Sequence, residues 1–290
     1  MVRELTRLFD GGHFFESPRW HDDRWWMSDF FGGAVISLTS SEDARVELKV
    51  PNGPSGLGWL PDGSLLAVSM ADRTVLRRDT AGAVSTHADL APHSEGIAND
   101  MIVTPSGHAY VGNMGYEWAE GHPHDATIVH VAPDGRASVG TREVSFPNGS
   151  VLLSDGVTLV VADTFAAQLV AWTIRPDGNL ADRRVWADLG TPVEFNDDGE
   201  FITPPSATPD GCAVDAHDRI WVADAANGRA ALVVEGGEVV DEIASPEGLP
   251  FFACALGGSD GSTLLLCASP DHLPVHRQAA QESVIFTVDL

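Results

Sequence analysis

Short apolar runs alternate along the whole chain with clusters of turn-forming residues. LLAVSM, AYVGNM, TLVVAD, RIWVAD and TLLLCA are each bounded by Gly, Asp, Pro or Ser. Runs of this length, rich in β-branched and apolar residues, predict strands, and no segment sustains the 3.6-residue apolar period of a helix. Between them lie Pro61-Asp62-Gly63, Pro105-Ser106-Gly107, Pro133-Asp134-Gly135, Asp155-Gly156, Pro176-Asp177-Gly178 and Asp260-Gly261. These read as hairpin connections, because Asp and Gly tolerate the left-handed backbone of a tight turn. The chain is therefore predicted to be all-β.

Aligning the sequence on its turns exposes one unit repeated six times. The copies are ESPRWHDDRWWMSDFFGGAVISL, SGLGWLPDGSLLAVSMADRTVLRR, NDMIVTPSGHAYVGNMG, NGSVLLSDGVTLVVADTFAAQLVAW, DGCAVDAHDRIWVADAANGRAALVV and ACALGGSDGSTLLLCAS. Each is a strand, a turn, a second strand often ending in Asp, and a third strand. Six units in 290 residues, or about 48 residues each, match the blades of a propeller. The prediction is one six-bladed β-propeller domain over residues 1–290, in which ring closure removes exposed sheet edges. The last strand, SVIFTVDL, is expected to close the ring by pairing with VRELTRLF at the N-terminus.

In a propeller the first strand of each blade faces the central channel, so the residue opening it points at the axis. Counting back eight residues from the turn of each unit gives Glu16, Ser55, Asn99, Asn148, Asp210 and Ala253. Four of these six carry a carboxylate or amide oxygen. Two carboxylates and two neutral carbonyls are the donors of a hard-cation site, which favours Ca²⁺ and admits Mg²⁺ or Mn²⁺. Zn²⁺ suits the set less well, since no His or Cys is included.

Composition narrows the partners. The formal charge is −25 and Lys49 is the only lysine, a balance that disfavours nucleic acid and anionic membranes but not a divalent cation. No apolar run reaches the length of a membrane span, and the N-terminus has no signal-peptide core, so a cytoplasmic location is expected. Cys212, Cys254 and Cys267 lie in apolar strands and are expected to be buried thiols rather than a disulfide framework.

The landmarks ESPRW, NDMIV, FPNGSVL, PDGCAVDAHDRIWVAD and CALGGSDGSTLLLC resemble the senescence-marker-protein/gluconolactonase family over nearly the whole chain, from Glu16 to Ala253. The resemblance implies a six-bladed propeller with one channel metal held by Glu16, Asn99, Asn148 and Asp210. It further implies a metal-dependent lactonase in which Asp210 acts as general base or nucleophile and Glu16 anchors the metal. Glu117 matches a family position facing substrate. Asn113, Tyr116, Trp118, His122 and His124 share its loop, and Tyr116 and Trp118 are expected to supply an apolar wall.

The chain departs from that family at two places. Sugar-lactone members typically carry an Arg two residues before the first metal Asn, where it contacts substrate; this chain has Ile97 there. Together with Phe252 it points to a substrate less polar than a sugar lactone. The acidic, Pro-rich segment VEFNDDGEFITPPSATP, residues 193–209, is expected to lie over the channel mouth and shape the pocket. Trp25, Trp26, Phe30 and Phe31 are expected to pack within blades, as are most of His13, Phe14 and Phe15. Asp29, Asp163 and Asp224 are expected to cap turns. Three alternatives fit the same donors: hydrolysis of phosphotriester or P–F bonds, another carbonyl reaction such as a lyase, and a calcium-binding propeller without catalysis.

Overall fold

A computed structural model describes residues 3–116, 126–196, 202 and 205–290. Its strands form six four-stranded antiparallel sheets. Blades 1 to 5 are consecutive in sequence, and their innermost strands are Phe15–His21, Pro54–Trp59, Ala98–Val103, Pro147–Leu152 and Pro209–Val214. Blade 6 joins Phe251–Gly257, Thr263–Ala268 and Ser283–Asp289 to the N-terminal strand Thr6–Gly12. Thr6 pairs with Thr287 and Gly12 with Ser283, so the two ends of the chain complete one sheet.

Each innermost strand packs on those of the preceding and following blades, and the strand of blade 6 packs on that of blade 1. This is the six-bladed β-propeller. In such a ring blade 1 stands opposite blade 4, blade 2 opposite blade 5, and blade 3 opposite blade 6.

The local chemistry is that of hairpins. His21 pairs with Arg24 across a two-residue turn in which Asp22 and Asp23 take φ of 49° and 57°, the conformation that matches strand twist. Successive side chains of a strand point to opposite faces. Trp25 therefore packs with Leu38, Leu265 and Cys267 towards blade 6, and Trp26 with Leu57 and Leu65 towards blade 2. Both are core residues, as expected of them. The three cysteines are free and buried.

Every innermost strand carries one extra residue near its start. The regular pairing of Ala98 with Asn113 resumes only at Met101 with Val111, and the same slip follows Glu16, Pro54, Pro147, Pro209 and Phe251. Such a bulge turns a side chain out of the sheet, and here it sits at the axial position. After Asn148 and Asp210 come Gly149 and Gly211. A Cβ on Gly149 would lie 2.4 Å from the backbone N of Cys212, and one on Gly211 would lie 2.5 Å from Cα of Ala253. Glycine lets adjacent inner strands approach at these two points and brings the axial side chains together.

Candidate metal centre and substrate cavity

Glu16, Asn99, Asn148 and Asp210 come from blades 1, 3, 4 and 5 and together line one cavity of about 580 Å³. Asn99 Nδ2 donates to Asn148 Oδ1 at 3.2 Å, and Ser55 Oγ donates to Asn99 Oδ1 at 3.4 Å. Asn148 Nδ2 reaches Thr164 Oγ1 at 3.5 Å, and that hydroxyl donates to the carbonyl of Pro209 at 2.7 Å. A chain of hydrogen bonds thus runs from blade 2 to blade 5 across the cavity floor.

The sixth axial position differs from the sequence count. Phe251 pairs with Ala268 as Pro209 pairs with Asp224, so the residue equivalent to Asp210 is Phe252. Phe252 lines the cavity. Ala253 is fully buried among Phe15, Trp25 and Leu265 in the core next to blade 1. The hairpin of blade 6 is longer, with regular pairs from Ala253 to Gly257, and the count from its turn slips by one residue.

Glu16 is buried, at 6% exposure, and Asp210 is partly buried. Burial pushes the Glu16 carboxyl up to about 8; the Ser17 N–H on Oε2 (2.9 Å) opposes this, the charge of Asp100 adds to it, and Arg19 opposes it. Asp210 is raised well above the ordinary range, first by burial and then by the charges of Glu16 and Asp100. Its Oδ1 is buried without a hydrogen-bond partner. Arg19 does not relieve the pair directly: its guanidinium is held by Asp100 Oδ1 at 2.9 Å and the carbonyl of Met101 at 2.7 Å. Among the described residues no Lys or Arg lines the cavity.

A buried and a partly buried carboxylate, an unpartnered oxygen and two amide carbonyls suit a hard divalent cation, which binds oxygen in flexible geometry. Among the described residues no group of three or more His, Cys, Asp or Glu is gathered to hold a metal. The floor carries, among the described residues, two carboxylates and two amides.

Above the floor the wall is aromatic. Phe252 stands edge-on to Phe14 (5.1 Å between ring centroids), and Phe14 lies 5.5 Å from Phe30. Phe146 lies 4.7 Å from Phe165, which lies 5.0 Å from Phe195, while Tyr116 meets Phe146 at 6.4 Å. Phe14 and Phe30 thus line the cavity as well as packing inward. Phe195, Pro205 and Thr208 line the cavity, so the described part of segment 193–209 does border it. His272, edge-on to Phe252, has its pKa lowered by burial.

Of the residues expected to bind substrate, Tyr116 lines the cavity. Asn113 does not. Its amide donates to Thr127 O at 2.6 Å and accepts from Gly115 N at 2.9 Å, which fixes the turn after its strand. Ile97 is buried in the cluster of Phe14, Phe30 and Phe252 without being among the lining residues. Glu117, Trp118, His122 and His124 lie outside the described residues.

Asp29, Asp163 and Asp224 close the second strands of blades 1, 4 and 5. Asp163 Oδ1 accepts the backbone N–H groups of Ser145 and Phe146, each at 3.0 Å. Asp29 takes those of His13 and Phe14, and Asp224 that of Thr208. They bind the start of the neighbouring inner strand as well as a turn, and so hold Phe14, Phe146 and Thr208 in the wall.

The family model described as the SMP-30/gluconolactonase/LRE-like region matches residues 14–269. The chain belongs to this family. A curated relative, the 6-deoxy-6-sulfogluconolactonase of Pseudomonas putida, is 26% identical over 263 residues, covering 89% of this chain and 84% of the relative. The calcium-binding protein regucalcin from Agrobacterium tumefaciens superposes with a TM-score of 0.77 at 24% identity, over 97% of this chain and 92% of that one. A gluconolactonase from Xanthomonas campestris gives a TM-score of 0.75 at 20% identity, over 99% and 90%. At these identities the two superpositions establish the shared fold of the SMP-30/gluconolactonase propellers. No helix among the described residues is long and apolar enough to cross a membrane.

Proposed function

We propose that the protein hydrolyses small lactones, with one divalent cation held by Glu16, Asn99, Asn148 and Asp210. Ca²⁺ is favoured over Mn²⁺, Mg²⁺ and Zn²⁺ because every donor is oxygen. The observation that carries the reading is the convergence of these four side chains on one cavity floor, with Asp210 Oδ1 buried and unpartnered. The name of the sulfogluconolactonase relative supports the reaction class, and that of the calcium-binding propeller supports the cation.

When bound, the cation supplies Lewis acidity that stabilises charge developing on the lactone carbonyl oxygen. Asp210, ionised beside the cation, either takes the proton of the attacking water at its unpartnered oxygen or attacks the carbonyl carbon itself. In the first route the ring C–O bond breaks as Asp210 returns that proton to the leaving oxygen. In the second the bond breaks to leave the acyl group on Asp210 as a mixed anhydride, which a water molecule hydrolyses while supplying the proton of the freed hydroxyl. Either way the product is a hydroxy acid. Glu16, fixed by the Ser17 N–H, balances the charge. Asn99 and Asn148 are held in orientation by their mutual hydrogen bond. The aromatic wall keeps bulk water from the reacting carbon.

Asp210→Asn tests the role of this residue, since it keeps the shape and one ligand oxygen while removing the base. The expected result is loss of turnover with the cation still bound by calorimetry. Unchanged turnover contradicts the assignment.

A further inference from the structure

The cavity wall is unevenly furnished around the ring. Phe252 (blade 6) with Phe14 and Phe30 (blade 1) forms one aromatic arc. Phe146 and Phe165 (blade 4), extended by Tyr116, form a second. Blades 1 and 6 stand opposite blades 4 and 3, so the two arcs face each other across the channel. Between them, among the described residues, blade 5 presents the small residues Thr208, Ala225 and Ala226 beside the catalytic Asp210, the segment leading into it adds Phe195 and Pro205 next to the second arc, and no residue of blade 2 lines the cavity. The result is a slot with two aromatic sides and the polar floor beneath it.

Hydrogen-bonding groups for a substrate are scarce on these walls among the described residues. The Thr164 hydroxyl is committed to Pro209 O and Asn148. Asp271 is occupied by the N–H of Leu273 and by His276 and Arg277. Tyr116 and His272 remain, with Thr208, whose Oγ1 already accepts from Ala226 N at 2.9 Å. A polyhydroxylated ring placed here leaves most of its hydroxyls facing phenyl rings, and a hydroxyl moved from water without a partner is disfavoured. A flat apolar substituent meets ring faces and edges on both sides instead.

We propose that the substrate is a lactone bearing an aryl group, with the lactone carbonyl on the floor and the aryl group held between the Phe14–Phe252 and Phe146–Phe165 arcs. Phe146 and Phe165 determine this specificity directly, since both are only half-buried and turn towards the cavity. The proposal rests on the lactone-hydrolase reading and names its substrate class.

The test compares kcat/KM of the Ca²⁺-loaded protein on three lactones that share one six-membered ring: δ-valerolactone, δ-gluconolactone and 6-phenyl-δ-valerolactone. The phenyl compound is expected to exceed δ-gluconolactone by at least about a hundredfold, the scale on which a pocket separates well-matched from mismatched groups. Phe165→Ser is expected to cut the preference for phenyl over unsubstituted ring by about tenfold. Equal or better use of δ-gluconolactone overturns the proposal. Calorimetric binding of the phenyl-substituted and polyhydroxylated δ-lactams to the unaltered protein separates recognition from turnover. Tighter phenyl-lactam binding with no lactone hydrolysed removes the hydrolase reading and keeps the aryl slot. Tighter polyhydroxy-lactam binding removes the slot whatever the turnover.

Discussion

Asn99 of blade 3 donates its side-chain amide to Asn148 of blade 4 at 3.2 Å, which fixes the orientation of the two amides proposed to hold the cation. Ser55 Oγ on one side and Thr164 Oγ1 on the other extend this chain. Removing either amide deletes one donor and frees the other. Asn148→Ala is therefore expected to weaken Ca²⁺ binding by at least about tenfold, the lower end of losses seen even for groups that only support a metal site. Calorimetric titration of the variant checks this, and unchanged affinity would place the cation elsewhere.

The raised carboxyls of Glu16 and Asp210 predict a particular pH dependence of stability for the EDTA-treated protein. Glu16 is pushed up to about 8 and Asp210 is raised with it. A raised carboxyl binds its proton in the folded state at pH values where the unfolded chain has already released it. Stability is then highest below the unfolded pKa and falls as pH rises towards 8. With EDTA present, the loss between pH 5 and 8 is expected to be on the order of several kcal/mol, or roughly 5–10 °C in Tm. Ca²⁺ should flatten the slope by stabilising the ionised pair. Thermal melts across that range with and without Ca²⁺ decide it; a rise in Tm with pH in EDTA would contradict the burial of the two acids.

Asp163 ties blade 4 to the wall through the N–H groups of Ser145 and Phe146. Asp163→Ala leaves both N–H groups and the Ser145 hydroxyl, which donates at 2.6 Å, without their carboxylate. A destabilisation of about 2–3 kcal/mol is expected, from the cost of unpairing part-buried donors to a charged partner. Urea unfolding measures it. Because Phe146 is held by the same contact, KM for an aryl-substituted lactone should rise more than kcat falls.

The N-terminal strand is the outer edge of blade 6, with Thr6 to Gly12 paired on Thr287 to Ser283. Deleting residues 1–12 uncovers the edge of Ser283–Asp289, an open template for strand addition. The truncated protein is expected to melt lower and to aggregate on light scattering. A truncated chain that stays monomeric and equally stable would show that the ring does not depend on this closure.

Much of this was legible in the sequence because hairpins write themselves locally. The turn glycines Gly63, Gly107 and Gly156 take φ of 83°, 86° and 72°, and their spacing sets the blades. The same tripeptide, Pro-Asp-Gly, serves as a turn at residues 61–63 and as an inner-strand bulge at 209–211; only its register in the repeat separates the two. Register located Glu16, Asn99, Asn148 and Asp210, yet missed Phe252, since the longer hairpin of blade 6 is invisible to a fixed count.

The wall was less legible. Phe14, Phe146 and Thr208 stand two residues before an axial residue, and strand alternation places them on the same face, a signal present in the sequence. Phe30 and Thr164 follow the second strand directly, where the chain leaves the sheet at the mouth of the channel. Asn113 is expected at the substrate from the sequence because it shares the polar-aromatic loop of Glu117. It occupies the slot that Asp29, Asp163 and Asp224 fill in other blades, and its hydrogen bonds are internal. Those partners are set by tertiary geometry rather than by local pattern.

The most direct test of the central claim is lactone hydrolysis, followed with a pH indicator, by protein stripped with EDTA and then restored with Ca²⁺, Mn²⁺ or Zn²⁺. The account predicts turnover that disappears on stripping, returns with the cation and returns best with Ca²⁺. Lactone hydrolysis that survives complete stripping would contradict the proposed role of the cation, and tight cation binding with no turnover on any lactone would contradict the proposed reaction.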